Sequence, residues 1–154
     1  MYEDQATFFR AALLLGLIRG DAVVRWSDAV LSRDPDAPAA FIEIASTGPD
    51  DLSALRHALY PLCAQHESPT VLHAIVAVVE RDLSSGQRTF DDTITILSQI
   101  RRFLKLQAST DDALKTLLVE VWRARHGLGM DSHAAERRVR EWLAFNAHPL
   151  QPAG

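Results

Sequence analysis

Apolar residues recur three and four positions apart along most of this chain, and this spacing limits the fold more than any other feature. Residues 114–121 are typical, because the apolar positions 114, 117, 118 and 121 fall on one face of a helix. No long stretch alternates apolar with polar residues, and only the short run 41–44 resembles a strand. The sequence therefore predicts an all-α protein of about eight helices, packed as a compact antiparallel bundle or as stacked helical pairs.

Glycine, proline and N-cap residues divide the first part of the chain into four predicted helices. These cover about 6–18, 21–32 and 39–46, and the fourth runs from a cap at Asp50 or Asp51 to 64. Gly20 is predicted to end the first helix in the left-handed conformation, and Asp21 to cap the second. Gly16, inside the first helix, predicts a close approach of two helices, since glycine lacks a side chain. Pro61 is predicted to bend or end the fourth helix.

Candidate N-caps then occur every 21 residues, at Ser68, Thr89, Thr110 and Asp131. Pro69 suits the first position of the fifth helix, where its missing N–H does no harm. This spacing raises the alternative of a repeat built from helical pairs. Residue identities beyond the caps do not recur, however, and any amphipathic helix gives similar apolar offsets. We therefore favour a compact bundle or helical-pair array without true repeats.

The fifth helix is apolar on nearly all sides over 71–79, and such a helix is usually buried at the centre of a fold. The first helix is almost as apolar and is interrupted only by Arg10. We expect it to pack beside the fifth helix; the alternative is that one side meets a partner or a second copy. The chain length favours a single domain over 1–148, followed by a flexible tail at 149–154.

The composition favours a bacterial, cytoplasmic protein without cofactors. Arginines number 14 against 2 lysines, and with abundant alanine this indicates a GC-rich genome. Cys63 is the only cysteine, which excludes an intrachain disulfide, and its apolar neighbours predict a buried, unreactive thiol. The first residues are acidic where a signal peptide is basic, and no apolar run is long enough to cross a membrane.

Catalytic and metal-binding patterns are missing from the sequence. No two of the six histidines are three or four residues apart, as a helical zinc site requires. His66 with Glu67 and His73 comes nearest, but Pro69 interrupts a shared helical face, and His73 is better explained as a core residue. Four aspartate pairs are sufficiently explained by helix capping: Asp34/Asp36, Asp50/Asp51, Asp91/Asp92 and Asp111/Asp112. We predict that the protein is not an enzyme; a site assembled from scattered His and Asp residues is the alternative.

Charge is distributed unevenly along the chain. Residues 1–100 contain 14 acidic and 7 basic residues, whereas 101–154 contain 6 acidic and 9 basic ones. A nucleic-acid-binding regulator that uses the basic C-terminal third is therefore the second hypothesis. The corner at 13–26, LLLGLIRGDAVVRW, is compatible with a helix-turn-helix. Asp28 shares the exposed face of its second helix with Arg25, which disfavours contact with DNA.

The same corner, ALLLGLIRGDAVVRWSDAVL, contains Val23, Trp26 and Asp28 at helical spacing. In this it resembles the opening of small all-helical bacterial proteins without assigned function, over about residues 8–60. Some of these proteins are immunity partners of secreted toxins. The resemblance implies a protein that acts by binding another protein, and it carries over no functional residues.

The leading hypothesis is a non-enzymatic protein–protein interaction module, of the toxin-immunity or adaptor type. The acidic stretch from Asp34 to Asp51 would face a basic partner, and a homodimer is left open. Tryptophan is a common interface anchor, although a core role is favoured for each of the three. The candidate interface residues are Trp26, Asp34, Asp36, Asp50, Asp51, Trp122 and Trp142.

Overall fold

The structure, a computed structural model, describes residues 2–65 and 68–150. The described residues form eight α-helices and no strand, which confirms the prediction of an all-α protein. The helices are α1 (Glu3–Leu14), α2 (Gly20–Arg33), α3 (Ala40–Ser46), α4 (Leu52–Leu59), α5 (Pro69–Ser84), α6 (Phe90–Phe103), α7 (Ala108–Arg125) and α8 (Ser132–Asn146), with a 3-10 turn at Tyr60–Leu62. None of the described helices is both long and apolar enough to cross a membrane.

Contacts divide the chain into two compact units. Unit 1 contains the described residues up to Val71 together with Leu150, and unit 2 contains Leu72–Pro149, so that the boundary falls inside α5. The single domain expected over 1–148, and the packing of the first helix beside the fifth, stay predictions. Residues 151–154 of the expected tail lie outside the described part of the chain.

The turn between α1 and α2 differs from the prediction. α1 ends at Leu14, and Gly16 has a φ of 65°, so Gly16 rather than Gly20 takes the left-handed conformation after the helix. α2 already begins at Gly20, with Arg19 at the N-cap position and no side-chain cap bond. Asp21 therefore lies in the first turn of α2, and its prediction as the N-cap is wrong.

The predicted close approach exists, but at the other glycine. A β-carbon at Gly20 would lie 2.0 Å from the carbonyl oxygen of Pro49 and 2.7 Å from Cδ1 of Leu55. A β-carbon at Gly16 would meet no atom within 4 Å. The missing side chain of Gly20 thus allows the start of α2 to contact the loop before α4, and this contact could not be assigned from local sequence.

The core of unit 1 forms where α2 packs on α3 and α1 packs on α4. Its buried residues are Ala6, Leu13, Val23, Val30, Phe41, Ile44, Leu55, Ala58, Leu59 and Leu62. The buried hydroxyl of Ser27 donates to the Phe41 carbonyl at 2.6 Å, which joins α2 to α3 and satisfies a polar group in the core. Pro61 lies in the 3-10 turn that follows Leu59, so α4 ends before residue 64, as the proline predicted.

In unit 2, α7 packs against both α6 and α8. Two of the predicted caps are confirmed: Thr89 forms a capping box with Asp92, and the Asp131 carboxylate accepts from the Ala134 N–H at 3.0 Å. The prediction of Thr110 as a cap is wrong, because its N–H already donates to the Gln107 carbonyl at 3.0 Å. α7 therefore begins three residues before the predicted position, so the 21-residue spacing of the caps does not hold there.

The apolar stretch of α5 contains several buried residues. Ala74, Ile75, Val76 and Val79 are all at most 3% exposed. Near the end of this helix lies a buried carboxylate, Asp82. It accepts charge-assisted hydrogen bonds from Arg81 at 2.9 Å and from Arg88 at 3.1 Å. The Arg88 N–H also donates to the Asp82 carbonyl at 3.0 Å, so these groups fix the turn from α5 to α6.

We expect Gly20→Ala to lower the free energy of unfolding by about 3 kcal/mol, because its methyl group would overlap a backbone carbonyl that cannot rotate away. Urea denaturation measures the loss. Gly48→Ala is the matched control, since a β-carbon at Gly48 meets nothing within 4 Å. Equal losses for the two variants would show that Gly20 and Pro49 are not in close contact.

We expect Thr89→Val to raise the pKa of Asp92 toward the usual aspartate value. Hydrogen bonds from the Thr89 hydroxyl and N–H lower the pKa of this carboxyl in the folded protein. They therefore stabilise the fold above the usual aspartate pKa, and this contribution disappears as the pH falls through the lowered pKa. NMR titration of the carboxyl carbon measures the shift. Thr95→Val is the control, since its hydroxyl binds the Asp91 carbonyl instead.

Candidate functional site

Residues 34–51, which we call the acidic segment, contain five acidic residues and no basic one. The segment leaves α2, forms α3 and reaches the first residue before α4, so it lies entirely in unit 1. Four of its five acidic residues are exposed, namely Asp36, Glu43, Asp50 and Asp51. Within the described part of the chain, the carboxylates of the first three accept no hydrogen bond from another residue that would tie them to the fold. A surface stretch with charges of one sign is suited to a partner of opposite charge.

The two remaining carboxylates of the acidic segment support the fold. Asp34 is half-buried and accepts hydrogen bonds from the Tyr2 hydroxyl at 2.8 Å and from the Asp36 N–H at 3.1 Å. Its hydrogen bond to the phenol is the main reason that the pKa of Tyr2 is raised. Asp51 is the N-cap of α4 and accepts from the Ala54 N–H at 3.0 Å. These contacts anchor the segment at both ends.

The short helix α3 places an isoleucine on the surface within the acidic segment. Phe41 and Ile44 are fully buried, whereas Ile42 is 61% exposed and is followed by exposed Glu43. Ile42 is not among the candidate interface residues predicted from the sequence. Helical spacing could have identified Ile42 as exposed. Positions 41 and 44 share one face of the helix, whereas position 42 lies about 100° away from position 41.

The three candidate tryptophans have different environments. Trp26 belongs to the core of unit 1, where its ring centroid lies 4.9 Å from that of Phe9 and 5.0 Å from that of Phe41. Its indole N–H donates to the Gln5 side chain at 3.1 Å. Trp142 is half-buried. Only Trp122 is largely exposed, at 55%, and its ring stacks on His126 with centroids 4.3 Å apart.

Part of the positive charge in the C-terminal third is neutralised by neighbouring carboxylates. At least four of the nine basic residues in 101–154 take part in ion pairs. These pairs are Arg101–Asp111, Arg125–Asp91, Arg138–Glu120 and Arg140–Glu136. A guanidinium that already contacts a carboxylate is less available to a phosphate, because the pair must first open.

At the α1–α2 corner, the exposed face of α2 is also internally balanced. The Arg25 guanidinium donates to the Asp21 carboxylate at 2.7 Å, and Asp28 is exposed one helical turn along. This arrangement leaves little net positive charge on the helix that a helix-turn-helix would place in the major groove.

No metal centre is found in the described ranges 2–65 and 68–150, where no three His, Cys, Asp or Glu side chains are grouped to hold an ion. Two members of the nearest sequence candidate, His66 and Glu67, lie outside these ranges. His73 is half-buried, with its ring centroid 5.2 Å from that of His148.

The Cys63 thiol is half-buried, and burial raises its pKa despite opposing effects from Thr7 and Arg10. A raised pKa disfavours the reactive thiolate, as is typical of an unreactive cysteine.

Comparison with known proteins assigns no family. No protein-family model, curated protein or solved structure matches the chain. The resemblance of the α1–α2 corner to small bacterial helical proteins therefore stays a prediction.

We expect Trp26→Ala to lower the free energy of unfolding by about 3 kcal/mol, because it removes a large ring packed between α1 and α3. Trp122→Ala should change it by less than about 1 kcal/mol, since that ring is mostly in water. Urea denaturation of both variants measures the difference. A large loss for Trp122→Ala would assign it a core role and remove it from the candidate interface residues.

Proposed function

We propose that this protein acts by binding a protein partner with a basic surface, through the acidic segment of unit 1. The observation that carries the proposal is the charge of this segment, which holds five acidic and no basic residues over 34–51. Attraction between complementary charged surfaces accelerates association and orients the partners. The finer prediction that the partner is a toxin rests on the resemblance alone.

The arrangement of apolar and charged side chains supports a protein as the partner. In the sequence, Ile42 follows exposed Asp36 and precedes exposed Glu43 and Asp50. It therefore offers an apolar contact within a charged stretch. Protein interfaces commonly combine an apolar centre with a polar rim. Because Asp34 and Asp51 fix the ends of the segment, little conformational entropy would be lost when a partner binds.

The experiment starts from capture of proteins by the purified chain in an extract of its own cells, followed by mass spectrometry. Each captured protein is then purified, and its dissociation constant is measured by calorimetry. The test variant is D36K/E43K/D50K, which reverses three exposed charges and spares Asp34 and Asp51. We expect the dissociation constant to rise at least about tenfold, because attraction becomes repulsion.

The matched control is E3K/D112K/E141K, which makes the same change in net charge at exposed residues outside the acidic segment. Its binding should change much less than that of the test variant. Ile42→Ser should weaken binding about tenfold without changing the charge, as expected for an apolar contact within an interface. A purified partner that binds all these variants as it binds the unchanged protein would contradict the proposal.

A further inference from the structure

Unit 1 contains a cleft between α1 and α4 that the proposed partner binding does not use. It has a volume of about 430 Å³ and is lined by Arg10, Leu14, Ser53, Arg56, His57 and Tyr60. This volume lies within the usual range for small-molecule sites. The lining residues come from α1, α4 and the 3-10 turn that follows α4, so the cleft belongs to unit 1 alone.

On the α1 side, one cationic and one apolar side chain face the cleft. The Arg10 guanidinium lies 5.3 Å from the centroid of the Tyr60 ring, which holds it across the cleft by a cation–π contact. Leu14 follows one helical turn later and is 40% exposed. A ligand could therefore place its charged group against Arg10 and an apolar group against Leu14.

On the α4 side, the spacing of the sequence directs several donors into the cleft. Ser53, Arg56, His57 and Tyr60 lie at positions i, i+3, i+4 and i+7, while Leu55 and its neighbours on the other face are buried in the core.

The Arg56 Nε donates to the Leu52 carbonyl at 3.2 Å. This hydrogen bond restrains the guanidinium near the helix and occupies only one of its five N–H groups.

The charged side chains that line the cleft are all basic. Among the described residues that line it there are two guanidinium groups, one imidazole and two hydroxyls, but no carboxylate. This contrasts with Arg25 on α2, whose guanidinium is paired with Asp21. Two arginines that line one cleft without an acidic neighbour in its lining favour an anion, and guanidinium groups match the oxygens of phosphate especially well.

We propose that this cleft binds a small phosphorylated molecule. Its phosphate oxygens would accept hydrogen bonds from Arg10 and Arg56, with the Ser53 and Tyr60 hydroxyls as further donors. The rest of the molecule would contact Leu14. The site is independent of the acidic segment, which has the opposite charge and no residue in the lining of the cleft.

NMR titration of the ¹⁵N-labelled full chain tests the site, with sodium phosphate as the probe and ionic strength held constant. We expect saturable shifts of the amides in 10–14 and 53–60, with a dissociation constant on the order of 1 mM, as an open cleft implies. Phenyl phosphate should bind several-fold more tightly than inorganic phosphate, because its ring can contact Leu14. The variant Leu14→Ser should remove that difference.

Arg10→Gln and Arg56→Gln should each weaken phosphate binding about tenfold or more, since each removes a charged donor. Arg25→Gln is the matched control and should bind like the unchanged protein. Ser53→Ala tests the site with all charges kept and should weaken binding by a smaller factor. Circular dichroism of each variant verifies that it is folded.

Three results would overturn the proposal. The first is a phosphate titration without saturation. The second is equal phosphate binding by Arg10→Gln, Arg56→Gln and Arg25→Gln. The third is tighter binding of acetate than of phosphate, which would assign the cleft to carboxylates instead. None of these results depends on whether a protein partner binds the acidic segment, so the two proposals can fail separately.

Discussion

The arrangement of unit 1 depends on the close approach of Gly20 to the loop before α4. A β-carbon at this position would lie 2.0 Å from the Pro49 carbonyl oxygen, so no other residue can occupy it without displacing the backbone. The contact holds the start of α2 against α4, while α3 packs against both of these helices. As a result, the acidic segment runs between two helices that are themselves held together, and its exposed carboxylates have a defined scaffold.

Both units contain ion pairs, such as Arg25–Asp21 in unit 1, but unit 1 also has two surfaces on which charges of one sign are grouped. In unit 2, arginines such as Arg138 and Arg140 pair with carboxylates, and Asp82 is buried between two guanidinium groups. In unit 1, the five acidic residues of 34–51 have no basic residue among them, and the cleft that holds Arg10 and Arg56 has no carboxylate in its lining. Exposed ion pairs contribute little to stability, so separating charges in this way costs the fold little. This separation leaves both acidic and basic side chains of unit 1 available to ligands.

Some features that depend on a single helical turn were predictable from the sequence, although the caps predicted at Asp21 and Thr110 are wrong. The caps at Asp51, Thr89 and Asp131 are confirmed, because each aspartate or threonine bonds an N–H only three residues away. The start of α7 was not predictable in this way. Thr110 is also a good capping residue, but the chain turns three residues earlier at Gln107, whose side chain forms no cap bond. A good capping residue therefore does not by itself fix where a helix begins.

The candidate site was only partly predictable, because some of its features depend on contacts between residues that are far apart in the sequence. The concentration of carboxylates in 34–51 is a property of the sequence, but the sequence could not show that Asp34 binds Tyr2, which is 32 residues away. It likewise could not separate Trp26, which is packed against Phe9 and Phe41, from the exposed Trp122. Each of these distinctions depends on residues that are distant in the chain.

The sequence by itself determined that this chain is all-α, where most of its helices begin and end, and where its acidic residues are concentrated. These properties follow from periodicity and capping, which act within a few residues. Only the tertiary structure decided that Gly20 rather than Gly16 is the point of close approach, and that Arg10 and Arg56 line one cleft. Both depend on contacts between α1, α2 and α4, and the distance in sequence between these helices leaves no local signal of which residues meet.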